Sequence, residues 1–555
     1  MLCAPGRLQS VPNAKKMLCS AITWQIPPQT PDTTTDARCM YNAANFYIRN
    51  TMTGIKKSPE LRTSNETEVL HYVFTGIQKA NEEADARYVR QLGRCREAGG
   101  MSGAVKASRL YVKRFSYPTT DHWFLSYETL DAIFKYTDHP VYKRMNSQVN
   151  QNAIRKVVKT WKSYFALSKD YAVSPQKYKA RPHLPGYIKT QGTTAWFTSQ
   201  TARLVVCNGM AYLNFVNCSK PMCIGKASLY SGMKYVKTEV KPQYGKYWIL
   251  VTFDDGTRLP SVPEHPCRIL GIDIGTGNFA AAAGNFGQTP FLVRGGAVKS
   301  MNQWFNKKRA QLLSDLARGS NSTCSKKTSR RLDAISQKRD DFLRDFFYKV
   351  SWHICRYAEE NHVDVIVAGH NADQKQNINI GRGNNQNFVS IPFCRFEEIL
   401  INTAAKCGIP VVIREESYTS QASLPDLDDI PVYRKDDPVK YAFSGRRVHR
   451  GLYRTGKGVI INADVNGAGN IIRKEYPHAY DGQDMSYLYT STNTVSYTDL
   501  YPGAKSAVKA SYNQKKHRAG TGSAVRHAYR KNTRLGYRML WGKSKYVWEP
   551  DTKTA

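Results

Sequence analysis

Nowhere in the 555 residues do about 18 apolar side chains follow one another, which excludes a bilayer-spanning helix. The opening M-L-C-A-P-G-R-L-Q-S-V-P-N-A-K-K lacks the continuous apolar core of a secretory signal, so export is not expected. The twelve cysteines are scattered without a compact framework, as in a reduced intracellular protein. No internal repeat is visible. Gly456-Lys457-Gly458 lacks the frame and the Ser or Thr of a phosphate-binding P-loop. Acidic residues are scarce beside basic ones: 44 Asp and Glu against 81 Lys and Arg leave a formal charge of +37. Such a surplus calls for a polyanionic partner. Nucleic acid is preferred to an anionic membrane, because neutralised phosphates release counterions and no basic amphipathic anchor or lipidation motif occurs. Apolar residues, at 41%, suffice to build cores and rule out wholesale disorder. The length suggests roughly three or four domains.

Residues 1–38 mix prolines and threonines and read as a loose N-terminal extension. From 39 to 166, apolar residues recur at helical spacing, as in V-L-H-Y-V-F-T-G-I-Q-K-A and N-A-I-R-K-V-V-K-T-W-K-S-Y-F-A-L. Residues 167–266 carry β-branched and aromatic runs around Asn208-Gly209, a strong hairpin signal, and predict a small antiparallel β domain. A third pattern fills 267–475. Three short strands begin at R-I-L-G-I-D-I-G, a long basic helical pair covers 299–357, and strand, helix, strand, helix follow, which predicts a mixed α/β domain. Residues 476–555 form a basic tail rich in Tyr, Ser and Thr, to which no fold is assigned.

Three places can carry acid chemistry. Asp273 ends a buried-type strand between Gly271 and Gly275, which permit close approach of backbone and ligand. Asp464 stands at a helix start, where Asp and Asn are ordinary caps. Gly467 and Ala468 on the next turn, however, would let that helix press on a sheet and bring the acid to its face. Glu415 and Glu416 close the strand I-P-V-V-I-R, and strand alternation sends adjacent side chains to opposite faces. Carboxylates that converge repel one another unless a hard cation such as Mg²⁺ binds. Two such ions about 4 Å apart serve phosphodiester hydrolysis.

Several motifs in order carry a family resemblance: G-I-D-I-G-T-G-N, V-K-S-M-N-Q-W-F-N-K-K-R-A, Q-N-I-N-I-G-R-G-N-N-Q-N-F-V-S-I-P-F, E-E-S-Y-T-S-Q-A-S and R-G-L-Y-R-T-G-K-G-V-I-I-N-A-D-V-N-G-A-G-N-I. Together they resemble the transposon-encoded TnpB family, relatives of the compact type V CRISPR effectors. Upstream, L-S-Y-E-T-L-D-A-I and K-A-R-P-H-L-P-G-Y are similar to that family's helical recognition domain and the start of its β-rich wedge. The likeness runs over about 39–475. It implies a multidomain α/β protein with a helical recognition domain, an antiparallel β-barrel wedge and an RNase H-like (RuvC) nuclease domain bearing a basic helical insertion. The implied activity is Mg²⁺-dependent, two-ion cleavage of double-stranded target DNA chosen by a guide RNA, in the cytoplasm of a prokaryote at the nucleoid. By motif, Asp273 is the first acid and Asp464 the last. The usual middle glutamate is missing from V-I-V-A-G-H-N. Glu416, just before Y-T-S, takes its place, with Glu415, Asp373 and His370 as alternatives. That loss also admits a nuclease-dead RNA-guided binding protein. No cysteine lies between Ser417 and Asp464, so no zinc ribbon is expected there. Cys207, Cys218 and Cys223 read as buried free thiols. Oligomeric state is left open.

Between Lys299 and Arg344, twelve Lys and Arg stand against four Asp. Lys299, Lys307, Lys308, Arg309, Lys326, Lys327, Arg330 and Arg331 are therefore candidates for phosphate contact. Trp304 is a candidate for base stacking, although one ring of the Trp304-Phe305 pair is expected in the core. Asn377 and Asn387 belong to an amide-rich loop suited to phosphate, ribose or base edges. Arg446, Arg447, Arg450 and Arg454 precede the last acid and can hold a strand.

Overall fold

In the computed structural model, the described residues are 17–23, 33–97, 104–105, 107–112, 114–190, 192–216, 218, 220–256, 258–318, 328–370, 389–432, 441–449, 451–489 and 492–501. The candidates Lys326, Lys327, Asn377, Asn387 and Arg450, and the alternative Asp373, lie outside them. The chain divides into two units, Met1–Thr257 and Arg258–Ala555. Among the described residues, no helix is long and apolar enough to cross a membrane.

In the first unit the helical periodicity becomes α1 (Thr33–Gly54), α2 (Ser64–Glu97), α3 (Tyr127–Tyr136) and α4 (Ser147–Val173). Their apolar stripes meet in one core that includes Met40, Ile48, Val73, Ile77, Ile133, Phe134, Val157 and Trp161. The Trp161 indole N–H donates to Asn45 Oδ1 at 2.9 Å, which removes the cost of burying the ring's polar edge. Ser126 caps α3 through the Thr129 N–H, and Asn146 caps α4 through that of Gln148.

The β part of this unit differs from the expected barrel. Its strands are β1 (Met17–Thr23), β2 (Ala195–Thr198), β3 (Ala202–Cys207), β4 (Met210–Phe215), β5 (Met222–Lys226), β6 (Lys234–Gln243) and β7 (Lys246–Asp254). They form two separate antiparallel sheets, ordered β1-β7-β6-β2 and β3-β4-β5, with no closed barrel among the described residues. Asn208 and Gly209 join β3 to β4 with φ of 49° and 72°, the left-handed pair of a two-residue hairpin. The expectation of a loose extension to residue 38 is also corrected. β1 pairs with β7 from Met17↔Asp254 to Thr23↔Trp248, and α1 begins at Thr33. Without β1, that edge of β7 would be an open template for aggregation. The cysteines in and beside the smaller sheet are not buried: Cys207 is exposed, and Cys218 and Cys223 are half-exposed. Those on β3 and β5 sit on short strands whose sheet covers one face, which leaves the thiols outside the core.

The second unit is built on a six-stranded mixed sheet. Strands β8 (Ile269–Ile274), β9 (Asn278–Gly284), β10 (Phe291–Arg294), β11 (Val365–Gly369), β12 (Val411–Arg414) and β16 (Asn493–Val495) lie in the order β12-β11-β8-β9-β10-β16. The first two connections through β11 are parallel, and β8, β9 and β10 run as an antiparallel meander. The intervening β13 (Arg446–His449), β14 (Leu452–Arg454) and β15 (Ile460–Asn462) make a separate small sheet. Helices α5 (Gly296–Ala317) and α6 (Arg330–Glu360) form the basic pair, followed by α7 (Phe393–Lys406) and α8 (Ala463–Glu475).

Strand alternation divides this unit into two cores. Leu270, Ile272, Ala280, Ala282, Ile366 and Ala368 pack with α6 and α7, whereas Ile269, Ala281, Ala283, Val365 and Val367 pack with α8. The chain after residue 475 continues into the same unit. Tyr480 and Leu488 are buried on the α8 side, and β16 adds a parallel edge strand to β10. Tyr501 then donates to Asp345 at 2.6 Å while Lys349 lies over its ring.

Candidate carboxylate site

Along β8, Ile269, Gly271 and Asp273 share the face turned towards α8. At Gly271 a side chain is impossible without movement, since a Cβ there would lie 2.1 Å from the Ala468 carbonyl oxygen. On α8, a Cβ on Gly467 would lie 2.9 Å from Asp273 Oδ2. Two glycines on facing elements therefore draw the helix onto the sheet and leave room for the acid between them.

The motif N-A-D-V-N-G-A-G-N has a distinct task at each position. Asn462, not Asp464, caps the helix: its Oδ1 accepts from the Asp464 and Val465 N–H groups at 2.9 and 3.2 Å. Asp464 is thus left to face outward, where Asn278 Nδ2 donates to it at 2.7 Å and Arg447 lies 3.4 Å away. Asn466 accepts from the Leu424 N–H and donates to the Ala422 carbonyl, and Asn470 donates to the Thr419 and Ala422 carbonyls. These buried amides tie the loop after β12 to the helix. That loop carries Glu416.

Glu416 reaches the same place from the other side. A Cβ on Gly369, at the end of β11, would lie 2.9 Å from Glu416 Oε2. Regular pairing of β12 ends at Arg414, so alternation no longer governs Glu415 and Glu416, and both turn towards α8. Only one is left available. Glu415 accepts from Lys474 Nζ at 2.5 Å and from the Ser417 N–H at 2.6 Å. Burial alone would raise its carboxyl, but these bonds outweigh burial and lower it.

The electrostatics tie the three acids together. Burial, then the Asp464 charge, pushes the Asp273 carboxyl up to about 7, with Arg447 opposing. Burial, then the Asp273 charge, pushes Glu416 up to about 8, with smaller contributions from Glu415 and Glu397. Asp273, Glu416 and Asp464 thus form one group of interacting carboxylates, each half-buried. Sequence reasoning named these acids but missed Asn278 and the Glu415–Lys474 pair. Asn278 closes the G-I-D-I-G-T-G-N motif, and an amide just after a strand-end acid is the signal that could have exposed it.

Of the basic candidates, Lys307, Lys308, Arg309, Arg330, Arg331, Arg446, Arg447 and Arg454 are exposed, and Lys299 is half-buried. The expectation that one ring of Trp304 and Phe305 enters the core is corrected. Both are half-buried between the basic helices, with Lys338 over Trp304 at 4.7 Å and Arg339 over Phe305 at 5.1 Å. Arg339 also donates to Asn302 at 2.7 Å, so the pair is held together by cations stacked on rings.

Residues 238–375 match the OrfB_IS605 family model, described as a probable transposase. The segment belongs to that family. This agrees with the transposon-encoded family that the motifs resemble. The OrfB_IS605 segment contains Asp273 and the basic helical pair, whereas Glu416 and Asp464 lie beyond it. No curated protein sequence matches the chain. Among solved structures, one of a Cas12f1–sgRNA–target DNA complex is 12% identical, with a TM-score of 0.36, covering 82% of this chain and 98% of that one. A CRISPR–Cas12f ternary complex gives the same identity and coverage with a TM-score of 0.28. Alicyclobacillus acidoterrestris C2c1 with single-guide RNA is 9% identical, with a TM-score of 0.23, covering 81% of this chain and 70% of that one.

Proposed function

We propose that this protein is an RNA-guided DNA endonuclease whose phosphodiester hydrolysis is carried by Asp273, Glu416 and Asp464. The observation behind this reading is the convergence of three carboxylates from β8, the loop after β12 and α8, two of them raised far above the ordinary range by burial and then by their neighbours' charge. The donor set suits a hard divalent ion: all three ligands are oxygens, and the repulsion is what a cation would relieve. Asp273, Glu416 and Asp464 would hold Mg²⁺. When bound there, the ion supplies Lewis-acid activation of a water and charge stabilisation of the leaving oxygen.

The other residues prepare this arrangement. Asn278 fixes one oxygen of Asp464, leaving the other towards Arg447. Arg447, exposed beside Asp464, offers a guanidinium to a phosphate. Lys474 keeps Glu415 occupied, so Glu416 is the carboxylate that serves the site. The exposed cations of α5 and α6 suit the sugar-phosphate backbone of a duplex. Guidance by RNA rests on the motif resemblance and on the OrfB_IS605 segment.

Glu416→Ala tests the assignment. In a Mg²⁺-dependent plasmid-cleavage assay with the native guide, cleavage is expected to be lost while guide-RNA affinity is unchanged. Full cleavage by this variant would overturn the choice of middle acid. Guided binding by the wild type without any cutting would favour a nuclease-dead repressor, and cutting after removal of all RNA would favour a guide-independent nuclease.

A further inference from the structure

The lack of cysteine between Ser417 and Asp464 bears only on a ribbon in that stretch. Elsewhere in the second unit, three side chains of a different chemical kind come together. His370 follows β11, and its backbone N–H donates to the Arg414 carbonyl at 2.8 Å, which fixes it beside the end of β12. Cys394 and Glu397 stand three residues apart in the first turns of α7 and so share one helix face. One ligating atom from each of His370, Cys394 and Glu397 lies within 4.8 Å of the other two. Exposure is graded across the group: Cys394 is exposed, His370 is half-buried and Glu397 is buried, so an ion can enter from solvent and be held from within.

We propose that His370, Cys394 and Glu397 form a zinc-binding site of their own, adjoining the three-carboxylate group on its Glu416 side. An imidazole, a thiolate and one carboxylate make a borderline-soft donor set, which selects Zn²⁺ over Mg²⁺. The fit can be checked against known bond lengths. Nitrogen and oxygen ligands about 2.0–2.1 Å from a tetrahedral zinc lie about 3.3 Å from each other, with sulfur slightly farther. His370 Nδ1 and Glu397 Oε1, now 2.6 Å apart, must separate by less than about 1 Å, and the widest pair, within 4.8 Å, must close by at most about 1.3 Å. The second demand falls on Cys394, the exposed member of the group. Three protein ligands leave the fourth position to water. The site ties the end of β11, a strand of the sheet that carries Asp273, to the start of α7, which packs on that sheet.

The competing reading is a His370–Glu397 ion pair with a bystander thiol. Full-length protein stripped with chelator is titrated with Co²⁺, and zinc is measured after reloading with Zn²⁺ and gel filtration. The wild type is expected to show a thiolate-to-Co²⁺ charge-transfer band and to retain zinc. Cys394→Ser, an exposed substitution that leaves the core untouched, should lose that band and one equivalent of zinc. His370→Ala should lose the same equivalent. Cys223→Ser should keep both signals, and Asp273→Ala should keep the zinc whether or not it cuts DNA, which separates this test from that of the nuclease reading. A band and zinc content equal in Cys394→Ser and wild type, or no band in the wild type, would overturn the proposal.

Discussion

Asp273 and Glu416 place a pH-dependent load on the fold. Both bind their protons more tightly folded than unfolded, with carboxyls near 7 and 8 against ordinary values of 3.8 and 4.5. Between about pH 4 and pH 8 the native state therefore holds more protons than the unfolded chain, and stability falls as pH rises through that window. The metal-free protein is expected to melt at a lower temperature at pH 8.5 than at pH 6. Asp273→Asn should remove much of that difference, a gain at pH 8.5 of about 2–4 °C for each kcal/mol of relieved repulsion. Mg²⁺ should raise the wild-type midpoint at pH 8.5 and leave Asp273→Asn nearly unchanged. Differential scanning calorimetry at the two pH values checks this, and a variant that melts no higher than wild type at pH 8.5 would count against the repulsion.

At the level of elements, the contact of α8 with β8 decides whether the acids meet. Gly271→Ala would force a methyl onto the Ala468 carbonyl, a backbone atom that cannot rotate away. Overpacking of this kind costs about 1–3 kcal/mol and shifts α8 outward. Urea unfolding should show that loss, and cleavage should fall further than stability alone explains. A second device holds the β13–β14 hairpin that bears Arg447. Asp426 Oδ2 accepts from Ser423 Oγ, Ser444 Oγ and the Gly456 N–H, which brackets the hairpin on both sides.

Much of this scaffold was readable from sequence, because β8, α6, α7 and α8 have strong local periodicity and their end signals agree with it. Asp273 and Asp464 were readable for the same reason, each standing at the end of such an element among small residues. Other features depended on partners far away in the chain. β1 and the short β16 find their partners, β7 and β10, only far along the chain. Asn466 and Asn470 look like turn formers until the loop they bind is in place. The distinction between Glu415 and Glu416 required Lys474, 59 residues beyond Glu415.

Across the whole molecule, the charge of +37 sets the terms of nucleic-acid binding. Affinity for guide RNA and DNA should fall steeply with salt, because each neutralised phosphate releases counterions. Replacing Lys307, Lys308 and Arg309 together by Gln should weaken DNA binding for every target sequence alike and reduce the slope of log affinity against log salt by roughly 2–3. A filter-binding series across salt concentrations measures that slope, and an unchanged slope would remove α5 from the interface.

Whether Asp273, Glu416 and Asp464 act as one unit is tested most directly by guided plasmid cleavage with single and double Ala variants of the three. Groups that hold the same ion lose their effect together, so each single substitution should lower the cleavage rate by about a thousandfold or more, and no double variant should fall appreciably below its weaker parent. Losses that multiply in the double variants, or a single variant that cuts at the wild-type rate, would show that the three acids do not form a common site.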